Sequence, residues 1–436
     1  MPAIPARLPA EVVDRLVAAA KDHGNWFHGL ELEFEHRLDA DRLARAARLT
    51  LDAEPVLGCR WQPHRRTPWW QRLADAEREN FNQFSDEGEY EAWKRAGLDI
   101  EREPQFKVGL FRGPDADRML LGLSHAVADG GGIRDAVARC ARIYTRLGSE
   151  PDHVPVPNTN GSRSPAQIRR LIPVRDCPRI ALDLIRQNRG AWRQSFPCLT
   201  WALDPEPRGV SAQATAVAWT LVPERTRALK AWGRALDATL NDILLAAFFR
   251  GLASVSVWNG RRFLTATTSA DLRRYLPAGK AAAVCNLSSA ATVRLGRRLG
   301  DTFEDTVRRV VGYTRRLKAA RTGLLGPLLW LPLLRHLPFS RMCAMSARFT
   351  RAQRRRQGWQ PPVFTNAGRI QPHEVRFDRP PERAYNWPQL LRLPLMQVVV
   401  SGYRGAITLT SGVYPSAARE RAARALYRAM DAELPV

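Results

Sequence analysis

Ser124, His125 and Asp129 stand together in the stretch LSHAVADGGG, Leu123 to Gly132, which ends on three glycines. A neutral imidazole titrates near working pH, so His125 can take a proton from an alcohol or amine nucleophile. Asp129 need not touch the ring. A buried carboxylate wants an arginine, and that pair would brace the loop that aims the histidine. The glycines let a substrate approach the backbone closely. Other readings fit the same residues. Three glycines before a helix N-terminus can cradle an anion, although DGGGIRD matches neither G-x-G-x-x-G nor the Walker pattern ending in GK[ST]. GLSHA, Gly122 to Ala126, also reads as a degenerate nucleophile elbow, with Ser124 as nucleophile and His373 as the downstream histidine of a serine hydrolase. An elbow serine opens directly into a helix, however, and here a glycine-rich loop intervenes. The plain alternative is a histidine satisfied by backbone hydrogen bonds at a strand end.

The elements around the loop are legible. FKVGLFRG and RMLLGLS read as strands joined by the turn-forming GPDAD, and they lead into the motif. Beyond it Ile133, Ala136, Val137, Cys140, Ile143, Tyr144 and Leu147 repeat at helical spacing. His125 is thus expected between a buried strand and a helix. Upstream, LELEFEHRL sets Leu30, Leu32, Phe34 and His36 against Glu31, Glu33 and Glu35, the pattern of a half-exposed strand. A helix starting at Asp39 or Asp41 follows, then a strand over Val56–Trp61. Ser149 to Pro165, rich in Pro, Asn and Ser, reads as a linker. Downstream come the strand AQATAVAWTLV, a helix opened by Pro223, and TLNDILLAAFFRGLA, apolar nearly all round and therefore buried. Two further strands, a helix, a hairpin around Arg404–Gly405 and a final Arg/Ala helix complete the chain. This mixture predicts an α+β fold with layers in both halves, divided as residues 1–175 and 176–436.

At 436 residues, two packed subdomains are the default. Cysteines at 59, 140, 177, 198, 285 and 343 show no C-x-x-C pair and no zinc pattern, so reduced thiols are expected. The N-terminus lacks a signal-peptide pattern and the longest greasy run is too short to span a bilayer. The expectation is a cytoplasmic protein, at most peripheral at a membrane. The net charge of +24 invites a polyanion. The arginines are spread along the chain, and the one dense run, RAQRRRQ (Arg351–Gln357), has no interleaved aromatics. Nucleic acid is therefore not the expected partner.

SHAVADG resembles the HHxxxDG signature of the chloramphenicol acetyltransferase superfamily, which includes nonribosomal peptide condensation domains, wax ester synthases, and alcohol and BAHD acyltransferases. Other segments resemble that superfamily in the same order: LDADRLARAARLTLDAEPVLGCRW, ATLNDILLAAFFRGL, TSADLRRYLP, CNLSSAATVRL and FTNAGRI. The resemblance implies a layered α/β sandwich of two chloramphenicol acetyltransferase-like subdomains, with the active site in a channel between them. It implies His125 as general base, Asp129 as a structural residue paired with Arg273, and Gly130 keeping the loop tight. Thr365, Asn366 and Gly368 would lie across the channel, near the acyl carbonyl or thioester arm. The implied activity is direct transfer of an acyl group to an alcohol or amine. The cosubstrate would be acyl-CoA or an acyl-phosphopantetheinyl carrier protein, with no bound cofactor and no metal. One position departs from the signature: its first histidine is Ser124, expected to support the loop by hydrogen bonding. Some members of the superfamily are non-catalytic, so a condensation-like domain that binds a carrier protein or partner enzyme is the alternative.

Three more features have two readings each. LLGPLLWLPLLRHLPF, Leu324 to Phe339, is a buried or partly buried helix pair, or, with Arg335, Arg341 and Arg351, a peripheral membrane contact. RAQRRRQ is a solvated helix face or meets the phosphates of coenzyme A or an acidic carrier protein. Trp69 and Trp70 pack, or line an acceptor pocket.

Overall fold

A computed structural model describes residues 3–182, 185, 215–256, 258–324, 326–355, 361–392, 395–413 and 417–435. A five-stranded sheet runs in the order β13 (Arg383–Trp387), β3 (Phe27–Phe34), β8 (Asp117–Ser124), β7 (Phe106–Arg112), β6 (Phe81–Phe84). All its pairs are antiparallel except β6 with β7. A six-stranded sheet takes the order β11 (Ser288–Gly296), β10 (Leu264–Asp271), β12 (Val363–Arg369), β15 (Gln397–Tyr403), β16 (Ala406–Val413), β9 (Thr215–Leu221). In it β12 runs parallel to both neighbours. Two small sheets join β1 (Arg7–Pro9), β5 (Trp69–Arg72) and β4 (Cys59–Gln62), and β14 (Leu390–Leu391) with β2 (Gly24–Asn25).

The first sheet forms as its alternation dictates, with one addition. Leu30, Leu32 and Phe34 enter a core shared with the helices Ala40–Ala53 and Gly130–Ser149. Glu31, expected to face water, is buried instead. The helix Glu87–Ala96 covers that face, and the Glu31 carboxylate accepts from Lys94 Nζ at 3.2 Å and from the Tyr90 hydroxyl at 3.0 Å. Alternation shows that a strand has two faces; it does not show what covers the second. The strand expected over Val56–Trp61 also starts late. Pro55 has a fixed φ and opens a 3₁₀ turn over Pro55–Gly58, so pairing begins at Cys59.

In the second sheet's core, Thr239 and Asp242 form a capping box that starts the helix Leu240–Val255. That helix is buried on nearly all sides, between the sheet and the helices Phe303–Ala319 and Ala417–Glu433. Phe248 packs on Phe364 of β12 with centroids 5.1 Å apart. Truncating a ring so completely enclosed costs about 3–5 kcal/mol. The hairpin β15–β16 turns at Arg404 and Gly405, which both have positive φ, as a tight two-residue turn needs.

The halves are tied together. The residues from Ser149 to Pro165, expected as a linker, are anchored: Arg163 donates to the carbonyls of Val284 at 3.1 Å and Val127 at 3.0 Å, and pairs with Asp14 at 3.0 Å. β13 and β14, from late in the chain, complete sheets begun by β3 and β2. The Trp pair packs: Trp70 is fully buried, its indole N–H donating to Asp14 at 2.9 Å, and Trp69 is half-buried beside Arg7. Cys59, Cys140, Cys177, Cys285 and Cys343 are free thiols, whereas Cys198 lies outside the described residues, as do Arg356 and Gln357 of the arginine run. Among the described residues no helix is long and apolar enough to cross a membrane, and no cluster of His, Cys, Asp or Glu could hold a metal.

Candidate functional site

β8 ends at Ser124, and the backbone folds into a tight turn there. The Ser124 carbonyl accepts from the N–H groups of Val127 (2.9 Å) and Ala128 (3.3 Å), and its hydroxyl accepts from Ala126 N–H at 3.2 Å. The next residue, His125, is fixed from two directions. Its N–H donates to the Trp26 carbonyl at 2.9 Å, and its carbonyl accepts from the Asn286 amide at 3.0 Å. The Trp26 indole and the imidazole meet edge to face, with ring centroids 5.9 Å apart. In the ring, Nδ1 is buried without a partner, which leaves Nε2 as the nitrogen open to the cavity that His125 lines.

Asp129 starts the helix Gly130–Ser149 as its N-cap. One carboxylate oxygen accepts from Gly131 (3.1 Å) and Gly132 (3.0 Å); the other accepts from Leu287 N–H at 2.7 Å. Arg273 lies 2.9 Å from this carboxylate and donates its other nitrogen to the Cys285 carbonyl at 2.8 Å. Burial by itself would raise the Asp129 carboxyl. Arg273 and the N–H groups outweigh it and hold the group below its ordinary value. The glycines divide their work. A Cβ on Gly131 would sit 2.3 Å from the Arg273 guanidinium, and one on Gly132 would press on Ala128 and Cys285. At Gly130 the nearest atom would be 3.7 Å away, and both it and Gly131 line the cavity.

The cavity holds about 410 Å³ and both main sheets line it. From the second sheet come Thr365, Asn366 and Gly368 of β12, with Ser269 of β10. β12 carries a bulge between Asn366 and Gly368, and Gly368 has φ +87°, where a Cβ would also crowd Arg134. Arg134, one turn into the helix after the loop, donates to the Ala367 carbonyl in that bulge. The Gly368 N–H is already given to Asn366 Oδ1 at 2.8 Å, so it is not free for a ligand. The Asn366 amide donates one hydrogen to Asn241 at 3.2 Å and keeps the other. The hydroxyls of Thr365 and Ser269 bond each other, leaving one of their two protons to donate elsewhere.

Nothing local in the sequence marks His28 as part of the site. It sits on β3 opposite Leu123, and its ring lies 5.0 Å from that of His125. Its Nε2 donates to the Ala128 carbonyl at 3.0 Å, and burial, reinforced by His125, pulls its pKa down to about 3. The signal was the pairing of β3 with β8, which local periodicity does not contain. Asn286, Arg134 and Trp26 are equally invisible to local periodicity, since each meets the loop or β12 from a segment distant in the chain. The serine-hydrolase reading is corrected: Ser124 is buried, its hydroxyl engaged in the turn, and neither it nor the exposed His373 lines the cavity.

No family model and no curated protein matches the chain. Solved structures do. Polyketide synthase associated protein 5 from Mycobacterium tuberculosis superposes with a TM-score of 0.70 at 15% identity, covering 98% of both chains. The first condensation domain of the CDA synthetase gives 0.67 at 19% identity over 100% of this chain and 98% of its own. The fold is that of the condensation domains. Trichothecene 15-O-acetyltransferase from Fusarium sporotrichioides shares it, with a TM-score of 0.71 at 14% identity over 98% and 96% of the two chains. In this chain the condensation-domain fold places the strand-end loop of the first sheet against the bulged β12 of the second, and the cavity lies between them.

Proposed function

We propose that this chain is an acyltransferase, moving an acyl group from a coenzyme A or carrier-protein thioester to an alcohol or amine. The observation that carries the reading is His125. One ring nitrogen opens into a cavity lined by both sheets, on a loop clamped by Asp129 and Arg273. The structural neighbours, which include an O-acetyltransferase and a condensation domain, support this class of reaction. Nε2 takes the proton from the acceptor's O–H or N–H as its oxygen or nitrogen bonds to the thioester carbonyl carbon. The carbonyl oxygen becomes an oxyanion, for which Asn366 and the Thr365–Ser269 pair supply donors. The C–S bond then breaks, and the departing sulfur receives the proton from the imidazolium. Asp129 acts through the loop and does not touch substrate. His28, neutral and with Nε2 engaged, keeps a second charge out of the site.

The test is thiol release by wild type and His125→Ala with acyl-CoA donors of increasing length, the same acyl groups on a carrier protein, and pooled alcohols and amines. Release that needs an acceptor and falls about 10²–10⁴-fold in the variant is expected. Silence with every donor, in a folded protein that still binds a carrier protein, would replace catalysis with a recruitment role.

A further inference from the structure

Among the described residues, exposed large apolar side chains fall mainly in two segments, 154–182 and 330–349. In the second, Trp330 is 40% exposed, Leu333 63%, Met345 54% and Phe349 58%, and it holds both exposed large aromatics among the described residues. The helix Phe339–Arg355 explains part of this. Phe339, Met342 and Thr350 anchor its inner face. Arg341, Met345, Arg348 and Phe349 recur at three- and four-residue spacing on the outer one. Arg335, Arg341, Arg348 and Arg351 are exposed, and among the described residues none of them meets a carboxylate. Some exposed arginines elsewhere do find one, as Arg146 does in Glu150 and Arg424 in Glu420, whereas others, such as Arg65 and Arg261, do not among the described residues.

The sequence explains the missing partners. Between Thr306 and His373 the chain has fourteen basic residues and no aspartate or glutamate, where its overall acidic content would place about seven. A basic composition alone does not remove acids from one segment. We propose that this face docks on an anionic lipid surface, with Leu333, Met345 and Phe349 entering the headgroup–acyl boundary and the four arginines meeting lipid phosphates. The apolar chains are about half exposed or more, so they protrude rather than line a groove. A bilayer interface accepts protruding apolar groups without a shaped counterpart, whereas a folded protein partner needs complementary relief. The inference is independent of the acyl-transfer reading.

Co-sedimentation with phosphatidylcholine vesicles, with and without phosphatidylglycerol, tests it. Wild type should sediment with the anionic vesicles only. Binding should fall about tenfold or more in Met345→Ser/Phe349→Ser, and again in Arg341→Gln/Arg348→Gln. Circular dichroism checks that these surface variants remain folded. Arg424→Gln/Arg428→Gln removes the same charge from the C-terminal helix and should bind like wild type. Three results would overturn the proposal. One is no binding to either vesicle. Another is equal loss in the control variant, which would assign binding to net charge alone. The third is unchanged vesicle binding in the Met345/Phe349 variant together with loss of an acidic carrier protein, which would assign the face to a protein.

Discussion

Burial makes His28 a titratable group that the folded protein keeps neutral. A histidine in the unfolded chain titrates near 6.5, and His28 is held down to about 3. Between those values the unfolded state binds more protons, so His28 contributes stability that is present above about 6.5 and drains away as pH falls toward 3. Each pH unit inside the window is worth about 1.4 kcal/mol. We expect His28→Gln to flatten the acid side of the stability profile, measured by urea unfolding at several pH values from 4 to 8. A slope unchanged from wild type would mean that the imidazole is hydrated.

The clamp is a property of elements. Asp129 caps a helix of the first half, while Arg273 follows β10 of the second, so the ion pair fastens the loop to the opposite sheet. In Arg273→Leu the Asp129 carboxylate stays buried with only N–H partners. Breaking such a pair costs about 3–5 kcal/mol. The Asp129 pair contributes stability above the unfolded carboxyl value and loses it as pH falls through the lower folded one. The gap between wild type and Arg273→Leu should therefore be wide at pH 7 and narrow below about pH 4. The glycines give a sharper comparison. Gly131→Ala puts a Cβ into the Arg273 guanidinium and should lose about 1–3 kcal/mol. Gly130→Ala has room, and gains up to about 1 kcal/mol of helix propensity. Equal melting temperatures for the two would refute the close packing.

What the sequence shows of this region follows distance along the chain. The β7–β8 hairpin, the loop and the helix after it are neighbours in sequence, and periodicity plus turn residues sufficed to read them. Arg273 came only through family resemblance, because nothing local ties it to a residue 144 positions away. His28 and Asn286 reach His125 through strand pairing and loop packing between distant segments, so a single chain hides them. Glu31 misled for a related reason: its partner Lys94 lies 63 residues on.

For the molecule as a whole, β13 matters most. It pairs with β3 along Arg383–Trp387, and Lys94 stacks on Trp387 from the helix that covers β3. Expressed alone, residues 1–175 would leave β3 as an uncovered sheet edge and expose the face that Trp387 shields. We expect that fragment to aggregate, and a peptide spanning β13 and β14 to keep more of it monomeric on a sizing column. A soluble, monomeric fragment without the peptide would show that the first sheet is self-sufficient. The same strand sets a clock. Glu33 and Arg383, which meet across β3 and β13, are 350 residues apart. At translation rates of about 5–20 residues per second, β3 waits on the order of 20–70 s for its neighbour. Through that interval the nascent first half carries an unpaired edge beside the loop that holds His125, so the site is born incomplete and closes only once the last fifth of the chain is being made.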